Sequence, residues 1–266
     1  APLGQVVATD RAGLDLLDLN SIKNRIEKEK PDVIVNAAAY TAVDRAESER
    51  QLAFQANADS MRAIGEAAKA SGALVVHFST DYVFDGEKLA PYLESDAPTP
   101  INVYGESKLA GERILAATGC RHFIFRTSWV YGPRGRNFLL AILAAARAKP
   151  ELRVVDDQRG APTSSGAIAA ATARVLSSPA FSSKPSGIYH MSAAGETSWH
   201  GFAKAILDGA GLRTAVVAIR SEEYPAAARR PKNSLLDNAK LVATFGIALP
   251  DWRQGLREVS SKIDTL

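Results

Sequence analysis

The sequence predicts an α/β protein built on a doubly wound parallel sheet, with a smaller, mainly helical lobe. Over the first two thirds of the chain, short β-branched runs alternate with longer amphipathic stretches, as in folds whose parallel strands are joined by crossover helices. These runs are almost continuously apolar, which is typical of strands that helices cover on both faces. After Gly195 the pattern changes to helical segments joined by connections rich in Pro, Ala and Arg.

Each predicted element follows from this periodicity. The predicted strands cover residues 5–10, 32–39, 73–80, 121–128 and 187–192. The predicted helices cover residues 21–30, 46–71, 103–117, 164–177, 198–209, 238–245 and 252–263. In the helix at 46–71, apolar residues spaced by three, four and seven form one stripe. We assign residues 1–192 to a dinucleotide-binding domain, which a substrate-lobe insertion interrupts at about 129–160, and residues 193–266 to the substrate-binding domain.

Composition excludes several classes of protein. The chain has 266 residues, 46% hydrophobic and 23% charged, with a net charge of +3, so it is neither disordered nor fibrous. So small a charge does not predict nucleic-acid binding, and the basic segment 229–232 also suits one phosphorylated small molecule. Cys120 is the single cysteine, which favours a reducing compartment, the cytoplasm. No apolar run reaches the roughly 18–20 residues of a membrane span.

Polar and small residues end the predicted strands, where doubly wound sheets bind their ligands. Asp10 ends a predicted strand, as does the acidic residue that binds an adenosine ribose in dinucleotide folds. A turn or helix cap is the simpler interpretation. Arg11 suits a ribose 2′-phosphate, so the choice between NADH and NADPH stays open. The alanines at 37–39 allow a flat ring to approach the backbone, and close strand–helix packing explains them equally well.

Tyr104 and Lys108 carry the predicted chemistry. They lie four residues apart at the start of a predicted helix, so their side chains share one face. A phenol with an ordinary pKa of about 10 is a poor proton donor near neutral pH, and a neighbouring ammonium lowers that pKa. Thr80 ends the preceding strand and is placed to share a substrate carbonyl with Tyr104.

Together with six ordered segments, these residues resemble the extended short-chain dehydrogenase/reductase family, and within it the dTDP-4-dehydrorhamnose reductases. The segments are residues 35–47, 79–86, 102–112, 125–132, 156–163 and 228–237, so the resemblance spans essentially the whole chain. It implies a Rossmann-like fold that reduces the C4 ketone of dTDP-4-dehydro-6-deoxy-L-mannose to dTDP-L-rhamnose. It also implies that Tyr104 donates the proton, that Lys108 holds the nicotinamide ribose and that Thr80 completes a triad.

The resemblance also implies which residues bind the two ligands. The expected contacts of NADPH or NADH are Asp10, Arg11, Asp18, Leu19, Ala38, Ala39, Tyr40, Thr41, Phe78, Tyr104 and Lys108. The expected contacts of the nucleotide sugar are Thr80, Asp81, Trp129 and Arg230. Trp129 follows a strand end, where an indole can stack on the sugar or base, whereas Trp199 and Trp252 are expected to pack in the core. Nucleic acid and membranes are not expected partners, and the protein is expected to be a monomer or a homodimer.

Several alternatives remain open. Sugar-nucleotide dehydratases of this family carry glutamate where this chain has Tyr82, which disfavours dehydration. A non-catalytic regulatory subunit of the same fold is a second hypothesis, which the intact triad opposes, and a reductase of a related keto-sugar nucleotide is a third. The four histidines are isolated and predict no metal site, and nothing in the sequence identifies the Mg²⁺ that family members can hold at a subunit contact.

One expected element is absent. A dinucleotide fold normally opens with a strand, a glycine-rich turn and a helix that receives the pyrophosphate. Residues 1–4 resemble the end of that helix, so we expect about 20 residues of this element to be missing. The chain as it stands is therefore expected to bind the cofactor poorly.

Overall fold

The computed structural model describes residues 3–178, 181 and 184–263. The strands are β1 (Val33–Asn36), β2 (Leu74–Thr80), β3 (Arg121–Thr127), β4 (Val130–Tyr131), β5 (Glu151–Val155), β6 (Arg159–Gly160), β7 (Thr163–Ser164), β8 (Gly187–His190), β9 (Thr197–Ser198) and β10 (Ala215–Ile219). The helices are α1 (Leu19–Glu29), α2 (Val43–Ala46), α3 (Arg50–Phe54), α4 (Ser60–Ser71), α5 (Val103–Ala117), α6 (Phe138–Ala148), α7 (Ser165–Ser177), α8 (Trp199–Gly209), α9 (Ala239–Phe245) and α10 (Trp252–Ile263).

The central sheet contains β1, β2, β3 and β8 in that order, all parallel. Side chains alternate between its faces, as in any strand. Leu74 and Phe123 pack with α7 and α9 on one face, and Val75 and Ile124 pack with α1 and α4 on the other. Helices therefore cover both faces, which confirms the predicted doubly wound parallel sheet.

The strand predicted at residues 5–10 is wrong. These residues form no strand, and Val6 and Val7 are 72% and 50% exposed. A β-branched run becomes a strand only when a neighbouring backbone pairs with it, and within the described ranges none pairs with this run. β1 accordingly forms the edge of the sheet, with Val35 47% exposed.

The helix predicted at residues 46–71 is irregular. It comprises α2, α3, α4 and a π-helical turn, Gln55–Asp59, between the last two. Such turns insert one extra residue into a helix and often occur at functional sites. The predictions at 103–117 and 252–263, in contrast, match α5 and α10 at both ends.

A second hydrophobic cluster lies outside the central sheet. It combines α6, α8 and α10 with β5, and β5 pairs in parallel with β10. Residues 138–155 thus pack with residues 199–219, far along the chain, as a mainly helical lobe. Helix α9 belongs instead to the sheet, because Leu241 and Phe245 pack beside Phe123. None of the helices described here combines the length and apolar character that a bilayer crossing requires.

Candidate active site

Two hydroxyl groups meet at the carboxyl end of the sheet. Thr80 is the last residue of β2, and Tyr104 lies in the first turn of α5. Thr80 Oγ1 donates to Asp81 Oδ1 at 3.1 Å and accepts from the Tyr82 amide at 3.1 Å. The Tyr104 phenol lies beside this hydroxyl, which favours the phenolate and so acts to lower the pKa of Tyr104. The phenol therefore lies next to both the Thr80 hydroxyl and the Asp81 carboxylate.

The start of α5 brings Tyr104 to this position. Asn102 caps the helix, since its Oδ1 accepts from the Gly105 amide at 2.8 Å. A Cβ atom on Gly105 would lie only 2.1 Å from the Tyr82 carbonyl oxygen. Glycine at this position therefore allows the helix to approach the end of β2 closely, and the ring of Tyr104 lies edge-on to that of Tyr82 with centroids 5.9 Å apart.

Burial and, to a lesser degree, the Asp81 carboxylate raise the pKa of Tyr104 to about 12, although the Thr80 hydroxyl opposes the shift. The prediction that a lysine ammonium lowers this pKa is wrong for this structure, because burial of the phenol dominates. A phenol in this state keeps its proton at neutral pH. It can serve as a proton donor, but not as a base.

Lys108 lies one turn after Tyr104 and is only 2% exposed. Its Nζ donates to the Phe78 carbonyl at 2.7 Å and lies 3.2 Å from Nε2 of His77. Burial lowers the pKa of Lys108 to about 8, while the Glu112 carboxylate opposes that shift. The amine is therefore fixed at β2, two residues before Thr80, and changes charge near neutral pH.

Asn57, which sequence analysis missed, connects the end of β1 to the helix of Tyr104. It lies in the π-helical turn, where its Oδ1 accepts from the Tyr40 amide at 2.8 Å. Its Nδ2 donates to the Tyr40 carbonyl at 3.0 Å and to Ser107 Oγ at 2.9 Å. The sequence does contain a signal for this role. Asparagine is unfavourable inside a helix, so its presence in a predicted helix indicates that the side-chain amide makes specific hydrogen bonds.

The expected cofactor residues near the start of the chain make local hydrogen bonds. Asp10 accepts from the Gly13 amide at 2.9 Å, and Asp18 caps α1 by accepting from the Ser21 amide at 3.0 Å. Arg11 pairs with Asp15 at 3.1 Å. The simpler interpretation of Asp10, a turn cap, therefore describes its contacts here. Leu19 begins α1 and is 38% exposed.

The expected cofactor residues that follow β1 leave the central sheet next to the part of β2 that holds Lys108. Ala38 and Thr41 are exposed, whereas Ala39 and Tyr40 are half-buried. The Tyr40 hydroxyl donates to Glu49 Oε2 at 2.6 Å. Asn36, the last residue of β1, is paired in register with His77 on β2, so this segment leaves the sheet next to the Phe78 carbonyl that holds Lys108. The alanines at 37–39 have no side-chain atoms beyond Cβ, so a flat ligand can approach their backbone closely.

Trp129 is not a free stacking surface, contrary to expectation. It is 8% exposed, and its ring stacks on that of Trp199 with centroids 3.6 Å apart and planes 9° apart. Its φ of +49° is unusual for a bulky residue and costs free energy that surrounding contacts must offset. Trp199 and Trp252 pack in the lobe cluster, as expected. Sequence analysis missed the stack because its two rings are far apart in the chain.

Gly160 lies against the same ring. A Cβ atom there would lie 2.4 Å from Cε2 of Trp129, and a ring stacked on Trp199 cannot move away. We expect Gly160→Ala to lower the free energy of unfolding by about 1–3 kcal/mol through overpacking, measured by urea denaturation. Gly166→Ala is the control, because a Cβ there meets nothing within 4 Å and alanine favours its helix. Equal stability of the two variants would contradict the packing argument.

Arg230 is already paired. Its Nη2 donates to Asp44 Oδ2 at 2.6 Å and its Nη1 to Asp44 Oδ1 at 3.2 Å, and it also contacts the Tyr82 hydroxyl. The neighbouring residues are held in the same way: the Ala228 amide donates to Asp44, and Asn102 Nδ2 donates to the Arg229 carbonyl at 2.8 Å. The segment 228–230 is thus fastened to the loop before α2 and to the start of α5.

Asp81 is 3% exposed. Burial raises its pKa to about 7, against hydrogen bonds from Ser234 and Thr80, whereas the carboxyl of an unfolded chain has a pKa near 3.9. Between these values the folded state binds more protons, so this group contributes stability at low pH that is lost as pH rises through the window.

We therefore expect Asp81→Asn to gain stability over the wild-type protein as pH rises from about 4 to about 8, measured by urea unfolding across that range. Asp85→Asn is the control. The Tyr92 hydroxyl lowers the pKa of Asp85, so the contribution of this group changes only below the unfolded pKa near 3.9, and the stability difference between this variant and the wild type should stay constant above about pH 4. Identical pH dependence of the wild type and Asp81→Asn would refute the assignment.

Three of the four histidines are buried, each apart from the others, and His200 is half-buried. His77 is 1% exposed, His122 is 8% and His190 is 0%. His122 Nδ1 lies 2.9 Å from the Cys120 carbonyl oxygen, which identifies this nitrogen as a donor. Within the described ranges, no three histidine, cysteine or acidic side chains form a group that could hold a metal ion.

Comparison with known proteins identifies the family. The family described as "RmlD substrate binding domain" matches residues 2–265. The dTDP-4-dehydrorhamnose reductase of Burkholderia thailandensis is 47% identical over 95% of this chain and 89% of its own length. That of Escherichia coli K12 is 42% identical over 100% of this chain and 92% of its own length.

Solved structures agree with the fold. The dTDP-4-dehydrorhamnose reductase of Bacillus anthracis, in complex with NADP, superposes with a TM-score of 0.91 at 36% identity, over 96% of this chain and 89% of that one. The Clostridium acetobutylicum protein gives 0.92 at 36% identity, over 98% and 91%. Both share the Rossmann-like sheet and lobe described above. The chain therefore belongs to the dTDP-4-dehydrorhamnose reductase family.

Proposed function

We propose that this chain reduces the C4 ketone of dTDP-4-dehydro-6-deoxy-L-mannose to dTDP-L-rhamnose, using NADPH or NADH. The observation that carries the proposal is that the Tyr104 phenol lies beside the Thr80 hydroxyl at the carboxyl end of β2, one helical turn before Lys108. Residue 82 is tyrosine, so the glutamate that a dehydratase needs is absent from this strand end. Relatives at 42% and 47% identity carry the reductase name.

The side chains at this edge fit a nicotinamide cofactor. Lys108 has donors beyond the one that it gives to Phe78, and the exposed segment 37–41 lies beside it. We assign cofactor binding to this segment, Phe78, Tyr104 and Lys108, and, nearer the start of the chain, to Asp10, Arg11, Asp18 and Leu19. Bound NADPH or NADH supplies the hydride.

The protein's own residues supply the proton. As charge develops on the carbonyl oxygen, the Tyr104 O–H bond breaks and its proton moves to that oxygen, leaving a phenolate. When substrate binds, the Thr80 hydroxyl turns its single proton from Asp81 Oδ1 to the carbonyl oxygen and so positions the carbonyl. General acid catalysis of this kind contributes about 10²–10⁴-fold, and correct positioning of the reactants contributes most of the rest.

We assign substrate binding to Asp81, Trp129 and Arg230, beside Thr80. Arg230 suits the diphosphate, because guanidinium donors match phosphate oxygens and Asp44 holds the group in place. We assign Trp129 to one wall of the sugar pocket. Because Trp199 covers one face of the Trp129 ring, the sugar contacts the edge of that ring. The proposed division is a dinucleotide domain at 1–192, interrupted at about 129–160, and a substrate-binding domain at 193–266, of which α9 packs on the central sheet rather than in the helical lobe. We further propose a cytoplasmic enzyme that acts as a monomer or homodimer.

A turnover assay tests this function. The full-length protein is mixed with NADPH or NADH and with dTDP-linked or UDP-linked 4-keto sugars, and both cofactor absorbance and the sugar product are followed. The proposal expects oxidation of the cofactor with formation of dTDP-L-rhamnose. Preference for a UDP sugar would overturn the substrate assignment. Cofactor binding without turnover of any keto sugar would favour a regulatory subunit.

A further inference from the structure

A buried chain of hydrogen bonds runs from the end of β1 to Lys108. The Ala38 amide donates to Asn36 Oδ1 at 3.2 Å. Asn36 Nδ2 lies 3.2 Å from His77 Nδ1, and His77 Nε2 lies 3.2 Å from Lys108 Nζ. Asn36, His77 and Lys108 are 7%, 1% and 2% exposed. Each group must therefore find its partners within the protein.

The directions of these hydrogen bonds restrict the imidazole. Because Asn36 Oδ1 accepts from Ala38, the other end of the amide is its NH₂ group, which donates to His77 Nδ1. Burial lowers the pKa of His77 well below its ordinary value, so the ring is neutral. With Nδ1 as acceptor, the single ring proton lies on Nε2 and faces Lys108. Lys108 must then accept this proton, which only an uncharged amine can do.

A charged Lys108 requires the opposite arrangement. The ammonium has no lone pair, so His77 Nε2 must accept from it and the ring proton moves to Nδ1. Two donors, His77 Nδ1–H and the Asn36 NH₂ group, then face each other. Protonation of Lys108 therefore breaks the hydrogen bond between His77 and Asn36.

We propose that His77 is a positioning residue for Lys108, and that its ring changes tautomer whenever the Lys108 amine gains or loses a proton. The broken hydrogen bond opposes the charge on Lys108 and so acts in the same direction as burial, which lowers the pKa of this amine to about 8. The importance of this proton exchange for catalysis rests on the proposed reductase function, but the tautomer change does not.

The other groups around Lys108 do not replace this coupling. On its own helix, Tyr104 keeps its proton and Glu112 favours the charged amine. Glu112 is itself paired with Arg126 on β3, at 2.6 Å and 2.9 Å. Asp81 lies beside Tyr104. On β2, the Phe78 carbonyl accepts from Lys108 in either charge state.

Nitrogen-15 NMR of the histidine rings tests the tautomer directly in the cofactor-free protein. We expect His77 to carry its proton on Nε2 at high pH and on Nδ1 once Lys108 is charged. In Lys108→Met the ring should stay in the Nε2–H form throughout. His122 is the internal control, because the Cys120 carbonyl keeps its proton on Nδ1. A His77 ring that never changes, or that changes equally in Lys108→Met, would overturn the proposal.

The pH profile of turnover tests the consequence. Asn36→Leu removes the donor that opposes a charged Lys108 and adds no charge. The fall of kcat/KM at high pH should therefore shift upward by about one pH unit, the equivalent of one hydrogen bond, while His122→Gln leaves it in place. An unmoved profile in Asn36→Leu would overturn the catalytic part. Absence of turnover in every protein, including the wild type, would instead refute the proposed function and leave the NMR result standing.

Discussion

Tyr104→Phe is expected to lower kcat by about 10²–10⁴-fold. In the proposed mechanism the phenol gives its proton to the carbonyl oxygen, and a pKa raised to about 12, chiefly by burial, keeps the phenol protonated until then. The phenyl ring keeps its edge-on contact with Tyr82, so cofactor affinity and fold should change little. Cofactor absorbance in single-turnover and steady-state assays measures the loss.

The matched control is Tyr189→Phe. This tyrosine is buried in the cluster on the α7 side of the sheet, where its hydroxyl donates a long hydrogen bond, 3.4 Å, to the Pro185 carbonyl and contacts Thr244. This variant should keep its turnover rate. If Tyr104→Phe retained more than about a tenth of wild-type turnover, below the range of general acid catalysis, the proton-donor assignment would fail.

Glu112→Gln is expected to destabilise the protein by about 3–5 kcal/mol. Glu112 and Arg126 are each 2% exposed and are joined by two hydrogen bonds. Removing the carboxylate charge leaves the guanidinium buried without a counter-charge, over the Phe84 ring at 5.1 Å. The free energy of unfolding in urea measures the effect.

Two further variants separate burial from charge pairing. Glu66→Gln breaks an exposed pair with Lys23, at 2.9 Å, and should cost no more than about 1 kcal/mol. The double variant Glu112→Leu with Arg126→Met removes both charges and should recover most of the stability, because apolar replacements of a buried pair are often neutral. A loss below about 1 kcal/mol in Glu112→Gln would show that water reaches the pair.

Local patterns predicted the parts of the fold that depend on local interactions. Helix α5 begins where Asn102 caps it, and this signal is visible in the sequence. The apolar runs at β2 and β3 pair with each other in register, as two-sided burial implies. Residues 5–10 also contain a β-branched run, but no strand lies beside them in the part of the chain that the structure describes. Strand formation depends on a partner that the run itself does not specify.

The sequence predicts the part of the site that lies at the carboxyl edge of the central sheet. Thr80 and Tyr104 meet because the carboxyl ends of parallel strands share an edge and α5 begins beside it. His77 and Asn57 escaped prediction because their partners lie far along the chain. A lone histidine in a strand suggests only packing, and its hydrogen bonds to Asn36 and Lys108 become visible only in three dimensions.

The hydrogen bonds that join residues 228–230 to the sheet side of the protein, called the seam below, have a consequence for protein engineering. Asp44 and Asn102 belong to the sheet side, yet they hold the backbone of this segment and the Arg230 side chain. A chimera that takes its lobe from another reductase would join mismatched halves unless both sides of the seam were exchanged together. Altering which nucleotide sugar is accepted therefore means transplanting residues 44 and 102 along with the lobe.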